Sequence, residues 1–333
     1  MSVPVEEGRA GLQSRRAVLR RLAGGSMALA AGANLGASAP TGSVGVRVPR
    51  ELVIATGDRG GVYFAYGEAY ARAVRVLTAV NVLETAASVE NLRLVGAGRA
   101  HVGFTLADSA ALAVAGRPPF TGSQPIDALA RLYDNYTHLV VRAEAPITTL
   151  ADLRGGTVST GAAGSGTELI AVRLLEATGL GPDDLRRVSL GLSQSANALA
   201  ARRITGFFFS GGLPTQAISE LAEGVPIRLV ELGSYVPPLR ARFGEFYGQL
   251  SIARATYGLS GDVTTVGVPN LLVVRADLDP TLAHALTRLL FAAKPRLALA
   301  HPEARRLNLR AAIATYPLNL HPGAVRYYRA TKP

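Results

Sequence analysis

The chain has 333 residues, of which 48% are hydrophobic and 18% are charged, so its composition excludes intrinsic disorder. The absence of cysteine excludes disulfides, thiolate metal sites and cysteine nucleophiles, and the five histidines lie too far apart for a short metal-ligand motif. The formal net charge is +11, but the arginines are scattered in ones and twos rather than gathered in a long basic run. We therefore expect no nucleic-acid partner.

Residues 1–39 have the features of a bacterial export signal. Arg15-Arg16 precedes a weakly hydrophobic stretch at 22–37, a pattern that resembles a twin-arginine signal. Ala37-Ser38-Ala39 matches the A-x-A cleavage pattern, which predicts a cut between Ala39 and Pro40. Four glycines inside the stretch argue against the alternative, a first helix of the domain. We expect export by the twin-arginine machinery and a mature protein that is soluble in the periplasm or at the cell surface.

Short β-rich runs alternate with helical patterns after a linker at 40–50. Strands are predicted at 52–55, 80–83, 102–105, 157–159, 188–190, 206–209 and 227–232. Helices are predicted at 62–77, 89–95 and 165–178, and a further helix begins at Pro280. The signals are the spacing of apolar residues, a glycine just after the helix, or an Asp-Pro pair at its start. This alternation predicts an α/β fold with parallel-rich sheets that are flanked by helices on both faces.

Two apolar runs, at 139–143 and 271–276, both end in Arg-Ala. They are either two ordinary buried strands or a pair of hinge strands that join two lobes. Under the second interpretation, lobe 1 comprises 51–137 plus 276–333, lobe 2 comprises 144–266, and the hinge strands are 138–143 and 267–275.

Three strand-to-helix junctions are rich in glycine, serine or threonine, at 56–63, 85–92 and 160–167. Such junctions meet at the carboxyl ends of the strands of an open α/β sheet, where free backbone N–H groups favour an anion. Taken singly, each could be a simple turn or a helix cap. The glycine order at 161–166 does not fit a dinucleotide fingerprint, and the G-x-S-x-G elbow is missing. A secreted α/β enzyme is therefore the weaker alternative.

The ordered set of motifs resembles the TAXI family of solute-binding subunits of TRAP transporters. The residues that carry the resemblance are Thr56-Gly57, Gly60-Gly61-Val62-Tyr63, 88–92, Gly98, Asp108, 152–155, 164–167, 174–176 and Gly211-Gly212-Leu213-Pro214. The chain departs from the family pattern at Arg59, Arg99, His101 and Thr205.

The resemblance implies a two-lobed periplasmic-binding-protein fold, type II-like, with a ligand cleft between the lobes and no catalysis. Such a protein captures a small organic anion, typically glutamate or a related dicarboxylate, and delivers it to TRAP membrane subunits. A binding component for another transporter or a signalling receptor is the alternative within the same fold. We expect no cofactor and no metal.

The predicted site places the anionic groups of the ligand at the helix N-termini near 60–61 and 165–167. Asp108 and Glu90 are the candidate acceptors for a ligand ammonium group, and Arg59 either pairs with a second carboxylate or points into solvent. The predicted ligand-binding residues are Thr56, Gly57, Arg59, Gly60, Gly61, Val62, Tyr63, Ser88, Asn91, Asp108, Gly164, Ser165, Gly166, Thr167, Gly211 and Gly212.

Overall fold

A computed structural model of the protein describes residues 48–331. The predicted export signal, its cleavage site at Ala39–Pro40 and most of the linker lie outside the described residues. Among residues 48–331, no helix combines the length and the apolarity needed to cross a membrane.

The described chain alternates strands and helices, as the sequence predicts. The strands are β1 (Glu51–Ala55), β2 (Ala79–Leu83), β3 (Val102–Leu106), β4 (Ile126–Arg142), β5 (Thr157–Ser159), β6 (Arg186–Val188), β7 (Gly206–Gly211), β8 (Ile227–Leu229), β9 (Gly248–Ile252) and β10 (Val263–Arg275). The helices are α1 (Val62–Val74), α2 (Ser88–Gly96), α3 (Ala107–Val114), α4 (Gly166–Ala177), α5 (Leu192–Ala200), α6 (Gln216–Gly224), α7 (Val236–Phe243), α8 (Pro280–Ala292), α9 (Lys294–Ala300), α10 (Leu309–Ala312) and α11 (Pro322–Ala330).

The ten strands form one mixed sheet with the order β2-β1-β3-β10-β4-β7-β5-β6, in which β8 also pairs with β4 and β9 with β10. The outer pairs β1–β2, β1–β3, β5–β6 and β5–β7 are parallel. The pairs that involve β4 or β10 are antiparallel. The predicted α/β class is therefore confirmed, with parallel pairing toward the edges of the sheet and antiparallel pairing at its centre.

The two central strands are long enough to serve both halves of the molecule. β4 has 17 residues and β10 has 13, and they pair from Ile126 opposite Arg275 to Tyr136 opposite Gly267. We call lobe 1 the part built on β1–β3 with α1–α3 and α8–α11, and lobe 2 the part built on β5–β9 with α4–α7. β4 and β10 contribute to both lobes.

The two predicted hinge runs lie on these neighbouring strands but do not face each other. Leu139 pairs with Phe208 of β7 and packs in the core of lobe 2, whereas Leu271 pairs with Arg131 of β4 and packs in the core of lobe 1. The exact lobe boundaries drawn from the sequence stay a prediction.

Both faces of the sheet are covered by helices in each lobe. In lobe 2, Phe208 packs on one face with residues of α4 and α7, and Phe207 packs on the other face with residues of α5 and α6. In lobe 1, Leu272 and Val273 divide in the same way between the α1–α8 side and the α2–α3 side. Successive side chains of a strand point to opposite faces, so strands covered on both faces read as continuous apolar runs.

A buried ion pair joins the two lobes beside the shared strands β4 and β10. Asp108, in the first turn of α3, accepts hydrogen bonds from Arg173 Nη1 of α4 and from the Tyr247 hydroxyl, each at 3.0 Å. Asp108 is 1% exposed and Arg173 is 7% exposed. Removal of one partner by mutation would leave a buried charge without compensation, at a cost of several kcal/mol. The ion pair therefore links the two lobes at this edge.

His138 is a buried titratable group in lobe 2. Its ring nitrogens lie 3.3 Å from the Phe209 carbonyl oxygen and 3.1 Å from the Tyr257 hydroxyl. Burial lowers the pKa of His138 from 6.5 to about 4. Below pH 6.5 the His138 imidazole is protonated in the unfolded chain, whereas in the folded protein it stays neutral until about pH 4. A fall in pH between these values therefore lowers the free energy of unfolding.

We predict that His138→Gln reduces the loss of unfolding free energy between pH 7 and pH 4.5. The wild-type contribution is on the order of 3 kcal/mol, since each pKa unit corresponds to about 1.4 kcal/mol. Urea denaturation at pH 7 and pH 4.5 measures the free energy of unfolding of the wild type and of the variant. Comparison of the two proteins removes the contribution of the titratable groups that they share. An equal pH dependence in the two proteins would contradict the assignment.

Candidate functional site

A cavity lies between the two lobes at the carboxyl ends of β1, β3, β5 and β7. Its volume is about 90 Å³. Residues of both lobes line it, so a molecule bound there would touch both.

Four helices begin at this cavity, two from each lobe. Gly61 and Ser165 are the N-cap residues of α1 and α4, Ser88 is the first residue of α2, and Gly191 is the N-cap of α5. The first-turn N–H groups of a helix have no partner within the helix, and the helix dipole is positive at this end. The cavity therefore favours an anionic group without a basic side chain.

Three hydroxyl groups in the wall are oriented by backbone N–H groups. Ser88 Oγ accepts a hydrogen bond from Leu106 N at 3.1 Å, and Ser165 Oγ accepts one from Glu168 N at 2.9 Å. Thr167 Oγ1 accepts one from the backbone N–H of β7 at 3.1 Å. Each hydroxyl accepts through one lone pair and also carries a proton that it can donate to a ligand.

Two further hydroxyls in the wall are buried without a partner. Tyr133 is 3% exposed and Ser210 is 8% exposed, and neither hydroxyl forms a hydrogen bond within the described chain. A buried polar group without a partner costs free energy, and such groups are rare in native structures. Both hydroxyls are candidate hydrogen-bond partners for a ligand in the cavity.

A chain of buried amides fixes the floor of the cavity. The Tyr63 hydroxyl donates to Asn270 Oδ1, Asn270 Nδ2 donates to Asn135 Oδ1 at 2.6 Å, and Asn135 Nδ2 donates to the Ser210 carbonyl oxygen at 3.0 Å. The chain runs from α1 through β10 and β4 to β7. Burial raises the pKa of Tyr63, so its hydroxyl keeps its proton and remains a donor to Asn270.

The lobes approach closely where Gly164 and Gly166 face the opposite lobe. Glu90 N donates to the Gly164 carbonyl oxygen across the cleft at 3.1 Å. A Cβ atom at Gly166 would lie 2.6 Å from Ser88 Oγ and 2.7 Å from Leu106 Cδ1. Larger side chains at Gly166 are therefore incompatible with this closed arrangement.

The structure brings about half of the predicted site residues into the wall of the cavity. Those that line it are Gly57, Gly61, Val62, Tyr63, Ser88, Ser165, Gly166, Thr167 and Gly211. Those that do not line it are Thr56, Arg59, Gly60, Asn91, Asp108, Gly164 and Gly212.

Two residues of the second group tie together the elements beneath the cavity. Thr56 Oγ1 donates to the Leu83 carbonyl oxygen at 2.6 Å. Asn91 Nδ2 donates to the carbonyl oxygens of Thr56 and Phe104 at 2.7 and 2.8 Å. The Thr56 bond joins the end of β1 to β2, and the Asn91 bonds hold the start of α2 against the ends of β1 and β3.

The charged residues predicted from the sequence have other partners. Asp108 belongs to the interlobe ion pair, and Glu90 Oε2 accepts from Ala86 N at 2.6 Å. Arg59 pairs with Glu84 at 2.8 Å, and its side chain is 72% exposed. Neither candidate acceptor for a ligand ammonium group lines the cavity, and Arg59 is directed outward.

Sequence reasoning missed several wall residues, among them Asp58, Tyr133, Asn135, Gly191, Phe209 and Ser210. Gly191 carries a signal that could have found it, since Leu190-Gly191-Leu192 is a fourth junction between a strand and a helix. Tyr133 and Asn135 carry none, because they lie inside the long strand β4.

The chain matches a known protein family and is similar to solved structures. Residues 54–330 match the NMT1-like family. A protein of Bordetella bronchiseptica RB50 is similar in structure, with a TM-score of 0.50, 20% identity, and coverage of 86% of this chain and 90% of that one. Together with the topology described above, this likeness confirms the predicted two-lobed fold.

Two other solved structures give TM-scores of 0.47. One is the periplasmic aliphatic sulphonate binding protein SsuA of Escherichia coli, with 15% identity and coverage of 86% of this chain and 84% of that one. The other is an amino acid ABC transporter substrate-binding protein of Streptococcus pneumoniae bound to L-arginine, with 14% identity and coverage of 77% and 95%.

We predict that Gly166→Ala shifts the protein toward a more open arrangement, because the added methyl group would collide with Ser88 and Leu106. Spin labels at Arg72→Cys in α1 and Glu223→Cys in α6, both exposed, report the distance between the lobes. The natural chain has no cysteine, so labelling is confined to these sites.

The matched control is Gly248→Ala, where a Cβ atom has no neighbour within 4 Å. We expect a longer and broader distance distribution for Gly166→Ala and an unchanged one for the control. An unchanged distribution for both would show that the lobes do not close on Gly166.

Proposed function

Because the chain belongs to the NMT1-like family, we propose that it is an extracytoplasmic solute-binding protein that captures a small organic anion between its two lobes. The observation that carries this proposal is the convergence of helix N-termini from both lobes on one cavity whose wall contains two unpartnered hydroxyls. A single ligand would satisfy groups from both lobes and so stabilise their closure.

The wall suits a molecule with a polar end and an apolar body. The helix starts supply N–H groups and hydroxyls to the wall, and Tyr63, Leu106, Leu192 and Phe208 supply apolar surface. Ligand sites in proteins commonly combine a mainly apolar lining with a few polar groups that fix orientation.

We propose binding without catalysis. The hydroxyls of Ser88, Ser165 and Thr167 each accept a hydrogen bond from a backbone N–H and carry a proton that they can donate. A nucleophilic serine instead needs a neighbouring base to remove its proton. The wall thus offers hydrogen-bond donors that suit the recognition of an anion.

The sequence supports a proposal for the export route and for the transporter that receives the solute. The paired arginines and the A-x-A pattern support export through the twin-arginine pathway, with the mature protein beginning near Pro40. The ordered TAXI-like motifs support delivery of the solute to the membrane subunits of a TRAP-type transporter. We propose that the two lobes comprise the segments 51–137 plus 276–333 and 144–266.

We predict that Tyr133→Phe and Ser210→Ala each weaken binding about tenfold without loss of stability. A hydrogen bond to a charged ligand contributes roughly 1.5–3 kcal/mol, whereas each hydroxyl lacks a partner within the described protein. Thermal shift against a panel of carboxylates, sulfonates and amino acids finds the tightest binder, and calorimetry with that compound measures the affinity of each variant.

Tyr66→Phe is the matched control, because the Tyr66 hydroxyl is also buried and unpartnered but does not line the cavity. The control should keep wild-type affinity. Unchanged affinity in Tyr133→Phe and Ser210→Ala would place the ligand elsewhere.

A further inference from the structure

The positive charge of the described chain is concentrated near its C-terminus. Residues 48–279 contain 20 arginines and 21 aspartates or glutamates, so they carry almost no net charge. Residues 280–331 contain seven arginines, one lysine and a single glutamate. These residues form α8–α11 of lobe 1, which therefore hold the excess of basic side chains.

Helices α8–α11 form a layer on lobe 1 whose outer surface is basic. Buried residues of all four helices pack in the same core as α1. The one carboxylate, Glu303, is 2% exposed and pairs with Arg306 Nε at 2.7 Å. Seven of the eight basic side chains are exposed, so the layer presents positive charge to solvent with no acidic side chain beside it.

The same layer exposes large apolar side chains. Leu299 is 89% exposed, although Leu297 and Leu307 on either side of it are fully buried in the core of lobe 1. The chain at 294–316, which we call the basic segment, therefore lies along the surface with one side turned outward. Of the five large apolar side chains that residues 48–331 leave exposed, four belong to this segment: Leu299, Leu309, Ile313 and Tyr316.

Exposed arginines beside exposed apolar side chains suit the surface of a bilayer that contains anionic lipid. Guanidinium groups donate paired hydrogen bonds to phosphate oxygens, and anionic headgroups attract basic segments. Apolar side chains on a basic surface insert at the boundary between headgroups and acyl chains. A protein partner would instead need a matching pocket for each separate apolar side chain.

We propose that the basic segment binds the surface of a bilayer that contains anionic lipid. The described residues after Pro280 do not line the cavity between the lobes, so the bilayer and the solute contact different surfaces. This second binding site goes beyond the proposed function and does not depend on the identity of the solute. Its effect is to keep the exported protein at the membrane.

Sedimentation with lipid vesicles tests the proposal on the exported form of the protein. We expect binding to vesicles of phosphatidylglycerol mixed with phosphatidylcholine to be at least about tenfold tighter than binding to vesicles of phosphatidylcholine alone. Because the attraction is partly electrostatic, added salt should weaken binding to the anionic vesicles.

A charge-reversal variant locates the contact. Arg296→Glu combined with Arg310→Glu should weaken binding to the anionic vesicles at least about tenfold, since each basic side chain near such a surface changes the affinity about fivefold. The matched control in lobe 2 is Arg187→Glu combined with Arg203→Glu, which makes the same change in net charge at exposed arginines. The control should bind like the wild type.

An apolar variant separates insertion into the bilayer from simple attraction between charges. Leu299→Ser should weaken binding to the anionic vesicles at least about threefold, because an apolar side chain is then no longer removed from water. Val76→Ser is the control, because this side chain is 73% exposed but lies outside the basic segment. It should leave binding unchanged.

Equal binding of the wild type to both kinds of vesicle, or an equal loss in the two charge-reversal variants, would overturn the proposal. Unchanged binding of Leu299→Ser would overturn it as well, because the surface would then fit an acidic protein rather than a bilayer. Thermal unfolding of each variant verifies that the fold is intact.

Discussion

The antiparallel pairing of β4 with β10 is the constraint on which the rest of the molecule depends. These two strands run through both lobes, and each lobe adds its own parallel strands to one side of the pair. The carboxyl ends of the added strands are thereby brought to a common crevice, as expected for open α/β sheets. The hydrogen bond between Asn270 and Asn135 sits on this pair and connects the floor of the cavity to both lobes.

The proposed recognition of an anion depends on backbone geometry more than on charged side chains. Helix N-termini of both lobes open on the cavity, and the hydroxyls of Ser88 and Ser165 carry protons that they can donate to a ligand. Gly166 allows this closeness, because a side chain there would meet the opposite lobe. The charged side chains of Asp108 and Arg173 instead form an ion pair that links the two lobes.

The sequence predicts the fold better than it predicts the site. Strands such as Val102–Leu106 are apolar on both faces and are visible as runs, and glycine or serine marks the junctions that follow them. The first half of β4 escapes this reasoning, because Asp127, Arg131 and Asn135 interrupt its apolar pattern where it passes between the lobes. Polar residues at a junction are equally ambiguous: Asn91 fits a ligand contact in the sequence, but the structure uses it to hold α2 against β3.

The most direct test of the central claim is a crystal structure of the protein with its tightest-binding solute. Our account predicts that the solute lies between the lobes, with its anionic group within hydrogen-bond distance of the first-turn N–H groups of α2 and α4 and of the Tyr133 or Ser210 hydroxyl. A solute bound outside the cleft, or bound in the cleft with its anionic group directed away from both helix starts, would contradict it.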